Sequence, residues 1–570
     1  MPANIHAAVD QFRNDLRALL DEAVQQHTEG LLKQAETGYR QVLLRQPQQP
    51  EALNNLGVLL AETDRLNEAL MVLRQAVTFQ PSNPDYLLNL GRVETVMGNG
   101  EAAQRSFRGA LEQDPGNAEA ALTLGSLLEQ AGGLSDAEAV YRSLHARRPQ
   151  DARALLALAR VARGLGRPGE AERALQEAIA VAPETAEAHL ELGRLLLSRG
   201  AVAGAVAALS DAIAVEPESP AAHLALGQAL ACQGEPTRAA EAFRRVLAQE
   251  PASVPARVGL VRALAAEGRV DAAVEESRSG AKEPPAELLI ARGEAQAAGG
   301  HAEAAVQSYG AAIQTDPTRA AAYLNLGPLL RAAGRDAEAD QLFEWRTLLY
   351  WRRLPGVEGY GSVSAYNAAL ARTLETRLQD GEAAGASGGL AARAPLRCGA
   401  EITPELFDAE TAATRGPALE AFAGVVTHHL QAYLAERRGL PGNPYFSRPP
   451  SQVELRGQGL RLPPSAFVEA HAHPEAYLSG IYFLQVPPEV AERRDSIAGC
   501  LRFSDAPRPS DWTSFETIRP KAGLLVLFPS YLWQAAVPFN ATGDCLALAF
   551  DLFAADPPEG ADPPSRYAPG

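Results

Sequence analysis

The chain has 570 residues and a mass of 60.4 kDa, several times the roughly 100–200 residues of one ordinary domain, so a single compact core is excluded. Hydrophobic residues make up 46% and charged ones 21%, the balance of a folded globular chain, which argues against wholesale disorder and against a membrane bundle. The formal net charge of −17 repels a phosphate backbone, and no basic cluster offsets it, so nucleic acid is not an expected partner.

From the N-terminus, Met1 to Leu20 shows no basic flank followed by an apolar run, and no later stretch reaches the roughly 18–20 apolar residues that span a bilayer. A cytoplasmic chain with no membrane partner is expected. A period of 34 residues then dominates. Alanine recurs at Ala35, Ala69, Ala103, Ala137, Ala171, Ala205, Ala239 and Ala273, and again at Ala305 and Ala339 after one slip of two residues. Proline keeps the same ruler from Pro47 through Pro285 to Pro317, which puts the loss between Pro285 and Gly293. Glycines at Gly57, Gly91, Gly125, Gly193, Gly227, Gly293 and Gly327 mark close approach of two helices. Tyr39, Phe107, Tyr141, Phe243, Tyr309 and Phe343 follow the alanine column by four residues. Proline ends each second helix.

This L-G-x(11)-A-x(3)-F/Y-x(7)-P pattern resembles the tetratricopeptide repeat, with about ten units from residue 16 to about 350. The resemblance implies a solenoid over residues 1–350 whose concave groove takes a peptide or protein segment. Asn55, Asn89 and Asn325 lie two residues before the column glycine. In similar repeats that position faces the groove, where an amide can bond a peptide backbone. His189 and His223 share another repeat column and read as helix-packing residues.

Beyond Phe343 the pattern stops. Trp345, Leu348, Leu349, Tyr350 and Trp351 read as an aromatic helix capping the last repeat, within a connector of residues 351–449. Gly381 to Gly389 (GEAAGASGG) reads as a linker. Leu419, Phe422, Val425, Val426, Leu430 and Leu434 recur at helical spacing from Pro417 to Arg438, with at least one of His428 and His429 facing solvent. Over residues 450–555, short alternating segments broken by Pro, Gly and Asp predict an antiparallel double-sheet domain. A proline-rich tail, 556–570, follows. Cys232, Cys398, Cys500 and Cys545 are far apart and form no CxxC pair, so neither a disulfide framework nor a cysteine zinc site is expected. Only three lysines occur, with abundant alanine and arginine, the usage of a GC-rich bacterial genome.

His471-Ala472-His473-Pro474 sits just before the strand LSGIYFLQVP. Residues i and i+2 of an extended segment share a face, so both imidazoles can converge on one metal. The series HxHP-x(4)-SGIYF, G-x-LxF and GLLVLFPS-x-LWQ resembles the C-terminal domain of a bacterial iron(II)/2-oxoglutarate oxygenase family that often follows tetratricopeptide repeats. The resemblance implies a multidomain α plus β chain, an all-α solenoid followed by a double-stranded β-helix, with Fe(II) and 2-oxoglutarate as cofactors if the protein is active. It implies His471 and His473 as metal contacts, with Gln534 where the third ligand should be histidine. Cys545 stands where an arginine should anchor the cosubstrate carboxylate.

No histidine follows His473, and Arg566 is the only arginine after Arg519, so both departures belong to the sequence itself. Tyr482, Arg502 and Arg519 are then the candidate cosubstrate contacts, with Arg508 and Lys521 as further cations and Glu475, Asp505 and Asp511 as further oxygen ligands. The catalytic residue is unknown from sequence. Two readings stay open: an oxygenase that hydroxylates a segment delivered by the solenoid, or a non-catalytic pseudo-oxygenase serving as an interaction scaffold.

Overall fold

A computed structural model of the chain describes residues 2–279, 283–384, 396–397, 400–403, 405–407, 416–438, 443–493, 495–505 and 515–555. It divides into two compact units, Met1–Glu184 and Thr185–Gly570.

The first unit holds five antiparallel helix pairs, beginning with Pro2–Thr28 and Leu32–Arg45 and ending with Ala152–Gly164 and Pro168–Val181. Their spacing has a steric origin. A Cβ on Gly125 would stand 2.2 Å from the Tyr141 ring, and one on Gly91 would stand 2.9 Å from that of Phe107. The helices of a pair therefore touch where one has no side chain and the other has a large one. The turn inside each pair needs a left-handed residue, supplied by Gly98, Gly132 and Gly166, and by Asp64 at φ 59°. Asn83, Asn117 and Asp151 start the following helices by accepting from their first free N–H groups.

The second unit begins with five more helix pairs, from Ala186–Ser198 to Asp336–Leu342. The two-residue loss falls in a turn: Pro251 lies three residues ahead of the helix Val254–Ala266, whereas Pro285 immediately precedes Ala286–Ala298. The second helix of the preceding pair stops at Glu276, where Arg292 donates to the Ser277 hydroxyl at 2.7 Å and to its carbonyl at 3.0 Å.

The last repeat is sealed by the β region. Tyr323 stacks on Tyr531 (4.9 Å between centroids) and meets Tyr445 edge-on at 5.1 Å, while Phe343 packs edge-on against Tyr531. The Tyr531 hydroxyl donates to the Leu342 carbonyl at 2.9 Å. Arg331 of the last repeat pairs with Asp505 at 2.9 Å. The cap is thus more than the aromatic segment expected to form it. Only Trp345–Leu348 is helical, and Tyr350–Arg353 is strand β1. Two large aromatics after Leu348-Leu349 favour a pleated, half-buried surface, and β1 finds one beside the strand Leu524–Pro529.

The remaining strands are β2 (Leu396–Arg397), β3 (Glu401–Ile402), β4 (Val453–Leu462), β5 (Phe467–His471), β6 (Leu478–Gln485), β7 (Leu501–Ser504), β8 (Glu516–Ile518), β9 (Leu524–Pro529), β10 (Trp533–Ala536) and β11 (Cys545–Ala554). They form an antiparallel sheet of order β1-β9-β6-β11-β4-β3 and a second of order β2-β5-β10-β7-β8. The sheets pack face to face, with Phe503 of β7 against Phe528 of β9 at 4.8 Å. This is the double-stranded β-helix arrangement. Helices Val363–Ala384 and Gly416–Arg437 cover the outer face of the larger sheet, through Asn367 on Tyr482 and through Phe422 on Tyr482 and Phe550. Gly480 exists for this packing, since its Cβ would stand 2.2 Å from the Phe550 ring.

Gly381 to Ala384, expected as linker, end the first of these helices, while residues 385–389 lie outside the described set, as do Cys398, Arg508, Asp511 and the tail 556–570. His428 is exposed, and His429 Nδ1 is hydrogen-bonded to the Tyr350 hydroxyl at 2.8 Å. Replacing Tyr531 tests the seal. Tyr531→Ala is expected to cost about 3–5 kcal/mol in urea denaturation and Tyr531→Phe about 1 kcal/mol. Equal losses in the two variants would show that ring packing is not what holds the junction.

Candidate functional site

The site follows from which residues of the two sheets face each other. Along β11 the inward row is Cys545, Ala547, Ala549 and Asp551. Opposite it on β4 stand Leu462, Leu460 and Gln458, and on β6 Phe483, Ile481 and Ser479. From the other sheet come Val468 and His471 of β5 and Gln534 and Ala536 of β10. Strict alternation would put positions 468 and 471 on opposite faces. A bulge corrects this, because His471 pairs with Gln534 and Val468 with Ala536, three steps on one strand against two on its neighbour. His471 is thereby turned inward beside Gln534.

His473 lies just beyond β5, its amide bonded to the Ser530 carbonyl at 3.0 Å. Its ring is 5.0 Å from that of His471, with 38° between the planes. The two tautomers are set by acceptors. His471 Nδ1 donates to the Glu469 carbonyl at 2.8 Å, and His473 Nδ1 donates to Asp551 Oδ1 at 2.7 Å. Asp551 also accepts from the Ser479 hydroxyl at 2.6 Å and is 1% exposed. His471 Nε2 is thereby left without the ring's proton, His473 Nε2 is buried without a hydrogen-bond partner, and both rings line a cavity of about 60 Å³ shared with Ser479, Gln458 and Gln534. Burial, with His473 alongside, drives the His471 pKa down to about 4, so the ring is neutral at physiological pH.

The far end of the cavity is apolar. Leu460, Leu462, Val468, Phe483, Leu501 and Phe539 line it together with Cys545. Six steps along β11 separate Cys545 from Asp551, roughly 20 Å at the strand rise. Burial pushes the Cys545 thiol up to about 12, so it stays protonated and uncharged.

The sequence-derived residues divide sharply. His471, His473 and Gln534 come together. The expected cosubstrate contacts do not, and each is corrected for a structural reason. Tyr482 falls on the opposite face of β6 from Ser479, Ile481 and Phe483, and its hydroxyl donates to Asn367 at 2.6 Å. Arg502 sits between inward-facing Leu501 and Phe503, and its guanidinium lies 4.0 Å over the Phe515 ring. Arg519 donates to the carbonyls of Val490 and Ser496, pinning that loop. Asp505 is held by Arg331, and neither Glu475 nor Lys521 lines the cavity. In the first unit, Asn89 donates to Asn54 at 2.9 Å and Asn54 to Asn55 at 3.1 Å, an amide chain joining two repeats. Asn325 bonds back to the Ala321 carbonyl of its own helix at 3.0 Å. His189 is buried, and the His223 ring donates to the Pro217 carbonyl at 2.8 Å.

The family described as "Putative 2OG-Fe(II) oxygenase" matches residues 460–551, which span β11 as far as Asp551 and both histidines. Tetratricopeptide-repeat families match residues 28–84, 97–161, 156–220, 203–249 and 230–297. The chain joins tetratricopeptide repeats to a 2OG-Fe(II) oxygenase-family domain. Among solved structures it is similar to a tetratricopeptide repeat protein from Parabacteroides merdae ATCC 43184, at 22% identity over 43% of this chain and 98% of that one, with a TM-score of 0.34. It is also similar to MamA from Desulfovibrio magneticus RS-1, at 21% identity over 30% and 96% with a TM-score of 0.28, and to the pilus biogenesis factor PilW, at 20% over 37% and 98% with a TM-score of 0.33. No curated protein sequence matches the chain.

Iron and 2-oxoglutarate are the cofactors this family implies, and the residues present can be held against them. Two imidazole Nε2 atoms suit a divalent metal, and the carboxylate behind His473 is the usual orienting partner of such a ligand. A facial triad also needs a carboxylate on the metal. Here Asp551 is committed to His473 and Ser479, Gln534 offers a neutral amide, and among the described residues no three His, Cys, Asp or Glu form a metal-holding group. The cosubstrate fits less well still: among the described residues no Lys or Arg lines the cavity, so against these a far carboxylate would be buried among apolar groups without a counter-charge. The described residues of the oxygenase-family domain do not fit the iron and 2-oxoglutarate pair.

A neutral buried His471 makes stability depend on pH. The unfolded ring protonates near its ordinary value of 6.5 and the folded one near 4, so the unfolded state binds more protons between those limits and the stabilisation, complete above pH 6.5, is lost as pH falls toward 4. Urea denaturation across this range is expected to show a decline that His471→Asn flattens. An unchanged slope in the variant would show that this ring does not carry the effect.

Proposed function

We propose that this protein is an interaction scaffold in which the repeat solenoid takes a peptide or protein segment and the oxygenase-family domain serves as a non-catalytic end module. Repeats of this type generally mediate protein–protein contacts, which supports the first half. The amide chain Asn55, Asn54 and Asn89 offers backbone-type hydrogen bonding on the repeats. The reading rests on one observation above the others: the cavity end where a cosubstrate carboxylate would need a cation holds the buried thiol of Cys545 among leucines and phenylalanines. Losing one charge-assisted hydrogen bond of that kind forfeits about 1.5–3 kcal/mol, before the cost of burying the unpaired charge.

The competing reading, hydroxylation of the solenoid-bound segment, has the converged pair His471 and His473 in its favour. Turnover separates the two. Full-length protein supplied with Fe(II), 2-oxoglutarate and ascorbate is expected to form no succinate above a protein-free control, followed by proton NMR. The variant carrying both Gln534→His and Cys545→Arg is expected to gain saturable metal and cosubstrate binding. Multiple succinate turnovers by the natural chain would overturn the scaffold reading.

A further inference from the structure

The cavity of the β domain carries polar atoms that the scaffold reading leaves unused. His473 Nε2 and Gln458 Oε1 are buried without a hydrogen-bond partner, in residues only 4% and 1% exposed, and both residues line the cavity. The other polar atom of each is engaged: His473 Nδ1 donates to Asp551 at 2.7 Å, and Gln458 Nε2 donates to the Thr403 carbonyl at 2.9 Å. His471 Nε2 is an acceptor beside them, since its Nδ1 holds the proton bonded to Glu469. A buried polar atom without a partner is destabilising. Several of them at one end of a single cavity ask for a guest that donates.

The rest of the lining restricts that guest. Ala547 and Ala549 are the small members of the inward row, and they leave a slot that continues between Leu460, Phe483 and Leu462 toward Cys545. Among the described residues no Lys or Arg lines it, which disfavours an anion, and its apolar length disfavours a free cation. A volume of about 60 Å³ holds roughly four to six water-sized atoms at 10–15 Å³ each. The guest is therefore slender, uncharged and small.

We infer that the β-domain cavity binds a short unbranched aliphatic alcohol, its hydroxyl seated beside His473 Nε2 and donating to Gln458 Oε1, its chain lying along Ala549 and Ala547. The Gln534 amide N–H is available to donate back to the hydroxyl oxygen. The site is distinct from the solenoid groove, and the inference rests on the reading that this cavity does not take 2-oxoglutarate.

Calorimetric titration of the full chain in the presence of a chelator tests it, with pentanol, methyl butyl ether and 2-oxoglutarate as probes. Pentanol is expected to give saturable one-to-one heat. The ether, of similar length without an O–H, is expected to bind at least tenfold more weakly. Ala549→Leu and Ala547→Val, checked for folding by circular dichroism, are expected to abolish pentanol binding by filling the slot. Absence of saturable pentanol heat in the natural chain, as when water alone satisfies the acceptors, overturns the inference. So does equal pentanol affinity in folded, filled variants, or equal affinity for the ether. Saturable 2-oxoglutarate heat would overturn the functional reading as well, which keeps the two failures distinguishable.

Discussion

The inward row of β11 sets the chemistry of the whole β domain, because this strand lies between β6 and β4, Cys545, Ala547 and Ala549 line the cavity, and Asp551 stands behind His473 at its end. Asp551 at one end fixes His473 and draws in Ser479. Ala549 and Ala547 open the space, and Cys545 closes the other end with a neutral group. A gradient from hydrogen-bonding to apolar is thereby written into four alternate positions of one strand. A charged dicarboxylate suits neither the middle nor the far end of it.

The same domain has a structural task that does not depend on that chemistry. A repeat array leaves its last helix pair with an uncovered apolar face unless something caps it. Here Tyr323 and Phe343 meet Tyr445 and Tyr531, and Arg331 meets Asp505, in the same compact unit as the last five repeats. Aromatic contacts of this kind are directional as well as apolar, so the cap also fixes an orientation.

The repeats were legible because a fixed period multiplies every weak signal. Alanine, glycine and proline columns each recur, and the steric reason, a glycine under the partner's Phe or Tyr, is the same each time. The histidine pair was legible from its i, i+2 spacing, although the bulge in β5 that turns His471 inward was not. The cosubstrate guesses failed on parity and partners. Tyr482 is one residue off the inward row, and Arg519 is spent on loop carbonyls. Asp551 was missed, yet it carried a signal: a carboxylate at a buried position in the otherwise apolar strand CLALAFDLF breaks the usual pattern and asks for a partner. Gln458 and its unpaired oxygen left no comparable mark, since its place opposite Ala549 depends on strand register.

The central claim is that an oxygenase-type fold here encloses a cavity without charge complementarity to a dicarboxylate. Equilibrium dialysis of labelled 2-oxoglutarate against the full-length protein, with manganese(II) as a redox-silent substitute for iron, measures this most directly. The account predicts no saturable binding up to millimolar cosubstrate. Saturable, metal-dependent binding in the micromolar range would contradict it.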